Sequence, residues 1–218
     1  MAKRGKLFVV SGPAGAGKSE IVKKLLSKHD DVKLSVSCTT RGIRKGEIPD
    51  VSYHFVSEDR FTELVEQDAF YEWAFVHQNR YGTLKSAVEE ELAKGHDMIL
   101  EIDVQGCAKV LKQNPDATAV FVCPPSAENL EQRLRHRGTE TEESLRVRLG
   151  NVAGEVAHAY DYDYVIIHQD WADVPNALEI AADELYSIIA VKRLEKENRV
   201  DFLDALSASL KQKGAKSE

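Results

Sequence analysis

Short, nearly unbroken apolar runs alternate along the chain with stretches whose apolar residues recur at helical spacing. Runs of four or five apolar residues suit strands covered on both faces, and the intervening periodic stretches suit crossover helices. The pattern predicts strands at Leu7–Val10, Leu34–Ser37, Met98–Ile102, Ala119–Val122 and Tyr164–Ile167. It predicts helices at Gly17–Ser27, Ser86–Lys94, Gly106–Gln113, Ala127–Arg137, Glu142–Ala159 and Ala172–Glu197. Strands alternating with helices in this way give an α/β class with a central parallel sheet between two helical layers.

Two stretches break the alternation. Residues 38–85 are too long for a strand-to-helix connection and carry strand-like pieces at Tyr53–Val56 and Tyr71–Val76, with a helical segment Asp59–Glu66 between them. An inserted subdomain fits better than a structureless loop. Arg133–Arg148 is crowded with Arg, Glu and Thr, as a mobile lid would be. The expected division is therefore one unit over 5–197, with a core of 5–37, 86–130 and 158–197, an insert at 38–85 and a lid at 131–157. In the tail, 198–218, Val200, Leu203, Leu206 and Leu210 stand at helical spacing, so a docked or partner-seeking helix with a frayed end is expected. Ser86 with Glu89 and Thr139 with Glu142 have capping-box spacing, and Gly95 can close a helix in the left-handed conformation.

Composition narrows the class. With 218 residues, 43% hydrophobic and 30% charged, the chain resembles an ordinary globular protein rather than a disordered or fibrous one. Its net charge of −7 argues against general attraction to nucleic acid or an anionic membrane. Cys38, Cys107 and Cys123 are far apart and form no C-x-x-C pair, which indicates neither a disulfide framework nor a zinc site and fits a reducing cytoplasm. The first apolar run is too short for a secretory signal, and no run approaches the length of a membrane span.

The strongest chemical signal is Gly12-Pro13-Ala14-Gly15-Ala16-Gly17-Lys18-Ser19, a full G-x-x-x-x-G-K-[ST] motif between a predicted strand and a predicted helix. Glycines let backbone amides converge on phosphate oxygens, and the helix N-terminus adds partial positive charge. Lys18 is placed to reach the β- and γ-phosphates, and the Ser19 hydroxyl to hold a magnesium ion that bridges them. An acceptor-sized insert and an Arg-rich lid suit phosphoryl transfer in a cleft that excludes water.

Further along come Ser35-Val36-Ser37-Cys38-Thr39-Thr40-Arg41 with Arg44, Tyr53-His54-Phe55-Val56, Phe70-Tyr71-Glu72-Trp73-Ala74 and Asn79-Arg80-Tyr81-Gly82-Thr83. Leu100-Glu101-Ile102-Asp103-Val104-Gln105-Gly106 and Arg133-Leu134-Arg135-His136-Arg137-Gly138-Thr139-Glu140-Thr141-Glu142-Glu143-Ser144 follow. This ordered series, from about Gly5 to Glu197, resembles the guanylate kinases, P-loop kinases that move the γ-phosphoryl of ATP onto GMP.

The resemblance implies a set of roles. ATP is held by Gly12, Pro13, Ala14, Gly15, Ala16, Gly17, Lys18 and Ser19, with Arg133 and Arg137 from the lid. GMP, and dGMP with it, is held at its phosphate by Arg41, Arg44, Tyr53 and Tyr81, and on its guanine side by Ser37, Glu72, Thr83 and Asp103. Lys18, Arg41, Arg137 and Arg148 stabilise the transferring group. Ser19 holds magnesium, with Glu101 or Asp103 assisting directly or through water. Two guanidinium forks and two phenols suit a phosphate dianion, and a carboxylate at 72 can accept from both N1–H and the 2-amino group of guanine. The expected partners are ATP and GMP or dGMP, without nucleic acid or membrane, for a cytoplasmic monomer or homodimer.

Some positions depart from the family pattern. Ser52 stands where an Asp is usual before the tyrosine, with Pro49 upstream; Arg80 replaces a tyrosine and brings a cation near the acceptor pocket; Ile167-His168-Gln169-Asp170 replaces an Asn-Asp-Asp-like ending. Two other readings stay open on the residues. One is a related kinase for a ribose phosphate, which Glu72 with Ser37 disfavours. The other is a non-catalytic phosphopeptide-binding module, which the intact Lys18, Ser19 and lid arginines disfavour. His54, His77, His136 and His158 show no ligand-like clustering.

Overall fold

The computed structural model describes residues 4–44, 46–76, 78–136, 142–170 and 172–215. Five strands form a wholly parallel sheet: β1 (Leu7–Ser11), β2 (Val32–Leu34), β7 (Asp97–Glu101), β8 (Thr118–Cys123) and β9 (Tyr164–Ile167), in the order β2-β7-β1-β8-β9. β1 is central and buried along its whole length, which is why its residues read as a continuous apolar run. Its side chains alternate between two cores. Phe8 and Val10 pack with Ile21, Leu25, Leu185 and Ile189 of the helices α1 (Lys18–Leu26) and α7 (Ala177–Leu194). Leu7 and Val9 pack on the other face with Val88, Leu92 and Val110 of α3 (Lys85–Ala93) and α4 (Val104–Gln113).

A second, mixed sheet holds β3 (Cys38–Thr39), β4 (His54–Phe55), β5 (Phe70–Val76) and β6 (Asn79–Leu84) in the order β4-β3-β6-β5. β3 pairs parallel with β4 and antiparallel with β6, and β5 pairs antiparallel with β6. Helix α2 (Glu58–Glu66) covers one face of it with Phe61 and Leu64, which pack on Phe70 and Cys38. Beyond β8, α5 (Ala127–His136) and α6 (Glu142–Ala157) share a small core of Leu130, Leu134 and Leu145, and α8 (Val200–Ala215) ends the described chain.

Several elements differ from the sequence expectation for physical reasons. β2 is Val32–Leu34 rather than Leu34–Ser37, because Ser35–Ser37 carry the chain across to the second sheet, where β3 begins at Cys38. Ser86 does not cap α3: the helix begins at Lys85 after Leu84, and Glu89 instead takes the hydroxyl of Tyr71 and the guanidinium of Arg4. Asp103 caps α4, accepting from the Gly106 N–H at 2.7 Å, so that helix starts earlier than the apolar spacing suggested. α7 starts at Ala177 rather than Ala172, after Pro175 and a left-handed Asn176. Gly95, at φ 94°, closes α3 as expected, its N–H donating to the Leu92 carbonyl and the next N–H, of His96, to the Glu91 carbonyl. The Thr139–Glu142 box lies outside the described residues. α8 is helical, but Val200, Phe202, Leu203, Leu206 and Leu210 stay exposed, so its apolar residues are left uncovered by the described residues.

Candidate functional site

The loop after β1 leaves the C-terminal end of the central strand, where ligands of open α/β sheets bind. Its glycines answer specific contacts. A Cβ on Gly12, at φ 138°, would lie 2.0 Å from the Val122 carbonyl oxygen, and one on Gly17, at φ 93°, would lie 2.2 Å from Nδ1 of His168. α1 begins at Lys18, so its first amides point into the loop. Lys18 Nζ folds over the loop, donating to the carbonyls of Gly12 at 2.7 Å and Pro13 at 3.1 Å.

Ser19 Oγ donates to Glu101 Oε1 at 2.5 Å. The register that pairs Val10 with Glu101 brings that carboxylate from the end of β7 to the mouth of the loop. Asp103, the other acid considered for this place, is turned to its helix cap. A hydroxyl and a carboxylate at the phosphate loop are hard oxygen donors, which suits magnesium, and among the described residues no cluster of His, Cys, Asp and Glu offers an all-protein metal cage. Glu155 of α6 is half-buried and feels the charges of Lys18 and Asp103: burial raises its pKa, Lys18 opposes the shift and Asp103 adds to it. Sequence reasoning missed Glu155, which carries no motif.

Across the cleft, β3, β4 and β6 bring together in one corner the residues expected to hold the acceptor's phosphate. Arg41 follows β3 and is only 9% exposed. Its Nε–H donates to the Tyr81 hydroxyl at 3.1 Å, and its guanidinium lies 5.2 Å from the Tyr53 ring centre. Tyr53 and Tyr81 meet edge to face at 5.9 Å. The pairing of Thr39 with both Phe55 and Tyr81 brings these distant sequence positions together. Arg44 is exposed on the neighbouring loop. The carboxylate of Glu47 occupies the fork of Arg41, a contact the sequence did not reveal, and raises the guanidinium pKa above its already high ordinary value.

The expected guanine side gathers Glu72, Thr83 and Asp103. Thr83 donates its hydroxyl to Glu72 Oε1 at 2.7 Å from the adjacent strand. Burial pushes the Glu72 pKa up, Thr83 opposes the shift, and the negative charge of Asp103 adds to it. A Cβ on Gly106 would crowd Ile102 Cδ1 at 3.2 Å and would stand in ordinary contact, 3.4 Å, with Asp103 Oδ1 and Glu72 Cγ. Ser37 lies just before β3, its carbonyl accepting from the His54 N–H at 2.9 Å.

Three departures now have places. Arg80 is not a cation of the acceptor pocket. Strand alternation turns it away from Tyr81 toward α2, where it binds Glu58 and Thr62 and lies 4.7 Å from the Phe61 ring centre. Ser52 accepts from the Ile48 N–H at 3.0 Å and closes the turn before β4. His168 donates from Nδ1 to the Ala16 carbonyl at 2.9 Å; burial holds its pKa below the usual value, the bond to Ala16 opposes the shift and the neighbouring Arg133 adds to it.

Arg133 reaches from α5 to the carbonyls of His168 at 3.0 Å, Gln169 at 2.9 Å and Ala16 at 3.3 Å. It ties α5 to the phosphate loop and the β9–α7 connection. Arg137 lies outside the described residues. Arg148 lies on α6, and its side chain is outside the description.

The family model described as guanylate kinase matches residues 4–185. Guanylate kinase of Zymomonas mobilis is 41% identical over 93% of this chain and 91% of its own length. Guanylate kinase of Pseudoalteromonas translucida is 44% identical over 88% and 89%. The crystal structure of guanylate kinase from Anaplasma phagocytophilum is similar over 88% of each chain, with a TM-score of 0.67 and 31% identity.

Proposed function

The chain belongs to the guanylate kinase family, and from that membership we propose how its own residues carry the γ-phosphoryl of ATP onto GMP or dGMP to give ADP with GDP or dGDP. One observation carries the reading: a complete phosphate loop at the end of β1 stands opposite a corner that joins Arg41, Tyr53 and Tyr81 to a partly buried Glu72.

The acceptor's phosphate is already a nucleophile near neutral pH, so positioning and electrostatics do most of the work. Arg41 and Arg44, with the hydroxyls of Tyr53 and Tyr81, hold and orient the dianion. Glu72 receives the N1–H and 2-amino donors of guanine, with its carboxylate aimed by Thr83. Adenine offers an acceptor at N1 and no 2-amino donor, so it leaves the carboxylate unpaired, and a site built for such donors rejects the wrong base strongly. Ser37 and Asp103 complete this side.

The amides of Gly12–Ser19 cradle the donor phosphates, and Lys18 swings from the carbonyls of Gly12 and Pro13 to the β- and γ-oxygens. Ser19, with Glu101 behind it, would hold magnesium, which when bound neutralises charge on the donor phosphates. Arg133 anchors the lid to the loop, and Arg137 and Arg148 close on the transferring group. Closure of lid and insert excludes water and suppresses hydrolysis.

Three free cysteines fit a reducing cytoplasm, and no helix among the described residues is long and apolar enough to cross a membrane. The function is tested by following ADP formation from ATP with GMP, dGMP, AMP, CMP, UMP and a ribose phosphate offered separately. Turnover confined to GMP and dGMP is expected; turnover with the ribose phosphate alone, or with none of them despite ATP binding, overturns the reading.

A further inference from the structure

The anion corner already holds an anion of its own. Arg41 Nη2 donates to Glu47 Oε1 at 2.6 Å and Nη1 to Glu47 Oε2 at 3.0 Å, a fork-to-carboxylate pair. The backbone N–H of Arg44 adds a bond to Oε2 at 2.7 Å. Nη1 also donates to the Gly42 carbonyl at 2.7 Å, and Nε–H to Tyr81. Three N–H groups therefore converge on one carboxylate in the place where the reading above puts the acceptor's phosphate.

We propose that Glu47 is a resident placeholder for that phosphate, filling the anion seat while the cleft is empty and leaving it when a phosphate dianion binds; the proposal rests on the acceptor site assigned above. A guanidinium that is 9% exposed cannot stand unpaired without cost, and a carboxylate on its fork keeps it stretched between Tyr53 and Tyr81 in the shape a phosphate needs. A dianion with three acceptor oxygens can use the same donors and Arg44 as well, so it displaces a single carboxylate. A nucleoside without phosphate cannot make that exchange.

The loop is built to let the carboxylate go. Glu47 is itself 21% exposed along its side chain. Gly42 and Gly46 flank it in open space, with nothing within 4 Å of where a Cβ would stand, and Gly46 has φ 91°. Ile43 and Ile48 are exposed at 54% and 59%, so among the described residues no apolar anchor pins this segment. Glu47 is a positioning residue: it touches Arg41, and through Arg41 it sets how readily the acceptor's phosphate binds.

The test uses the full chain and its Glu47→Gln and Glu47→Asp variants, with inorganic phosphate and GMP titrated by calorimetry and GMP turnover measured alongside. Removing the competing charge in Glu47→Gln is expected to tighten inorganic phosphate and GMP about five-fold and to lower KM for GMP, with kcat within about two-fold of wild type. Glu47→Asp keeps the charge and is expected to stay close to wild type. Weaker phosphate binding in Glu47→Gln, or a fall in kcat with a raised KM, would make Glu47 a scaffold for Arg41 and overturn the proposal. If Glu47→Gln does not fold, the wild-type chain still decides: saturating GMP should shift the carboxyl carbon resonance of Glu47 and the Nε–H resonance of Arg41, and an unmoved Glu47 refutes displacement. Phosphate competition without GMP turnover would sink the proposed reaction and leave the placeholder standing; turnover with an undisplaced Glu47 would do the reverse.

Discussion

Glu72→Gln isolates the choice of base with almost no change in shape. In the wild-type chain the Thr83 hydroxyl donates to Glu72 Oε1 at 2.7 Å, which leaves the other carboxylate oxygen and the remaining lone pairs for the acceptor base. A glutamine keeps its single oxygen on Thr83, because the backbone N–H of Thr83, which also bonds the Glu72 carboxylate, can only donate. Its NH2 group then faces the N1–H and 2-amino donors of guanine, donor against donor. A hydrogen bond to a charged group contributes about 1.5–3 kcal/mol, so the substitution should lower kcat/KM for GMP by roughly 10- to 150-fold. AMP, whose N1 accepts, should gain relative to GMP. The assay is steady-state ADP formation with each monophosphate at saturating ATP.

Stability supplies the control, and its sign follows from the pKa. Burial raises the Glu72 pKa in the folded chain, so the charged carboxylate costs stability above that raised value, and the cost disappears as pH falls below the ordinary carboxylate range. Glu72→Gln removes the cost, so at neutral pH it should melt at or above the wild-type temperature. A variant as active on GMP as wild type, with the same preference over AMP, would refute the assignment of Glu72 to the base.

Other perturbations probe the remaining parts. Because the folded-state pKa of Glu72 is raised, kcat/KM for GMP should fall as pH is lowered through it, and that limb should be absent from the pH profile of Glu72→Gln. Arg41→Lys loses both the fork and the bond to Tyr81, so kcat/KM for GMP should drop by roughly 100-fold while KM for ATP stays near wild type in the same kinetic assay. Lys18→Met should lower kcat by about 10²–10³, read from ADP release at saturating substrates, with melting close to wild type because Lys18 contacts loop carbonyls rather than the core.

What could be read from the sequence was mostly what is local. The phosphate loop needs only consecutive residues, and its strand and helix bear their own apolar patterns, so both were visible. The doubly covered strands were visible for the same reason. One strand of the second sheet was harder: Cys38–Thr39 holds two residues and exists because it pairs with β4 and β6, whereas His54–Phe55 falls inside the strand expected at Tyr53–Val56. The direction of Arg80 follows from strand alternation once Asn79–Leu84 is known to be a strand, and without that it looked like a cation of the pocket. Glu47 was hidden because its partner depends on how the loop folds back on Arg41. Arg133 was expected as a clamp on phosphate, yet its bonds to Ala16, His168 and Gln169 join segments far apart in the chain. α8 was expected from its spacing, but spacing alone does not say whether an apolar face is covered.

The most direct test of the central claim follows the label of [γ-32P]ATP in the presence of magnesium and GMP. If the two halves of the cleft work as one site, the label appears in GDP in step with ADP formation, with little inorganic phosphate, and both products disappear when GMP is replaced by guanosine. Label released chiefly as inorganic phosphate, at a rate indifferent to GMP, would show a nucleotide hydrolase and contradict the account.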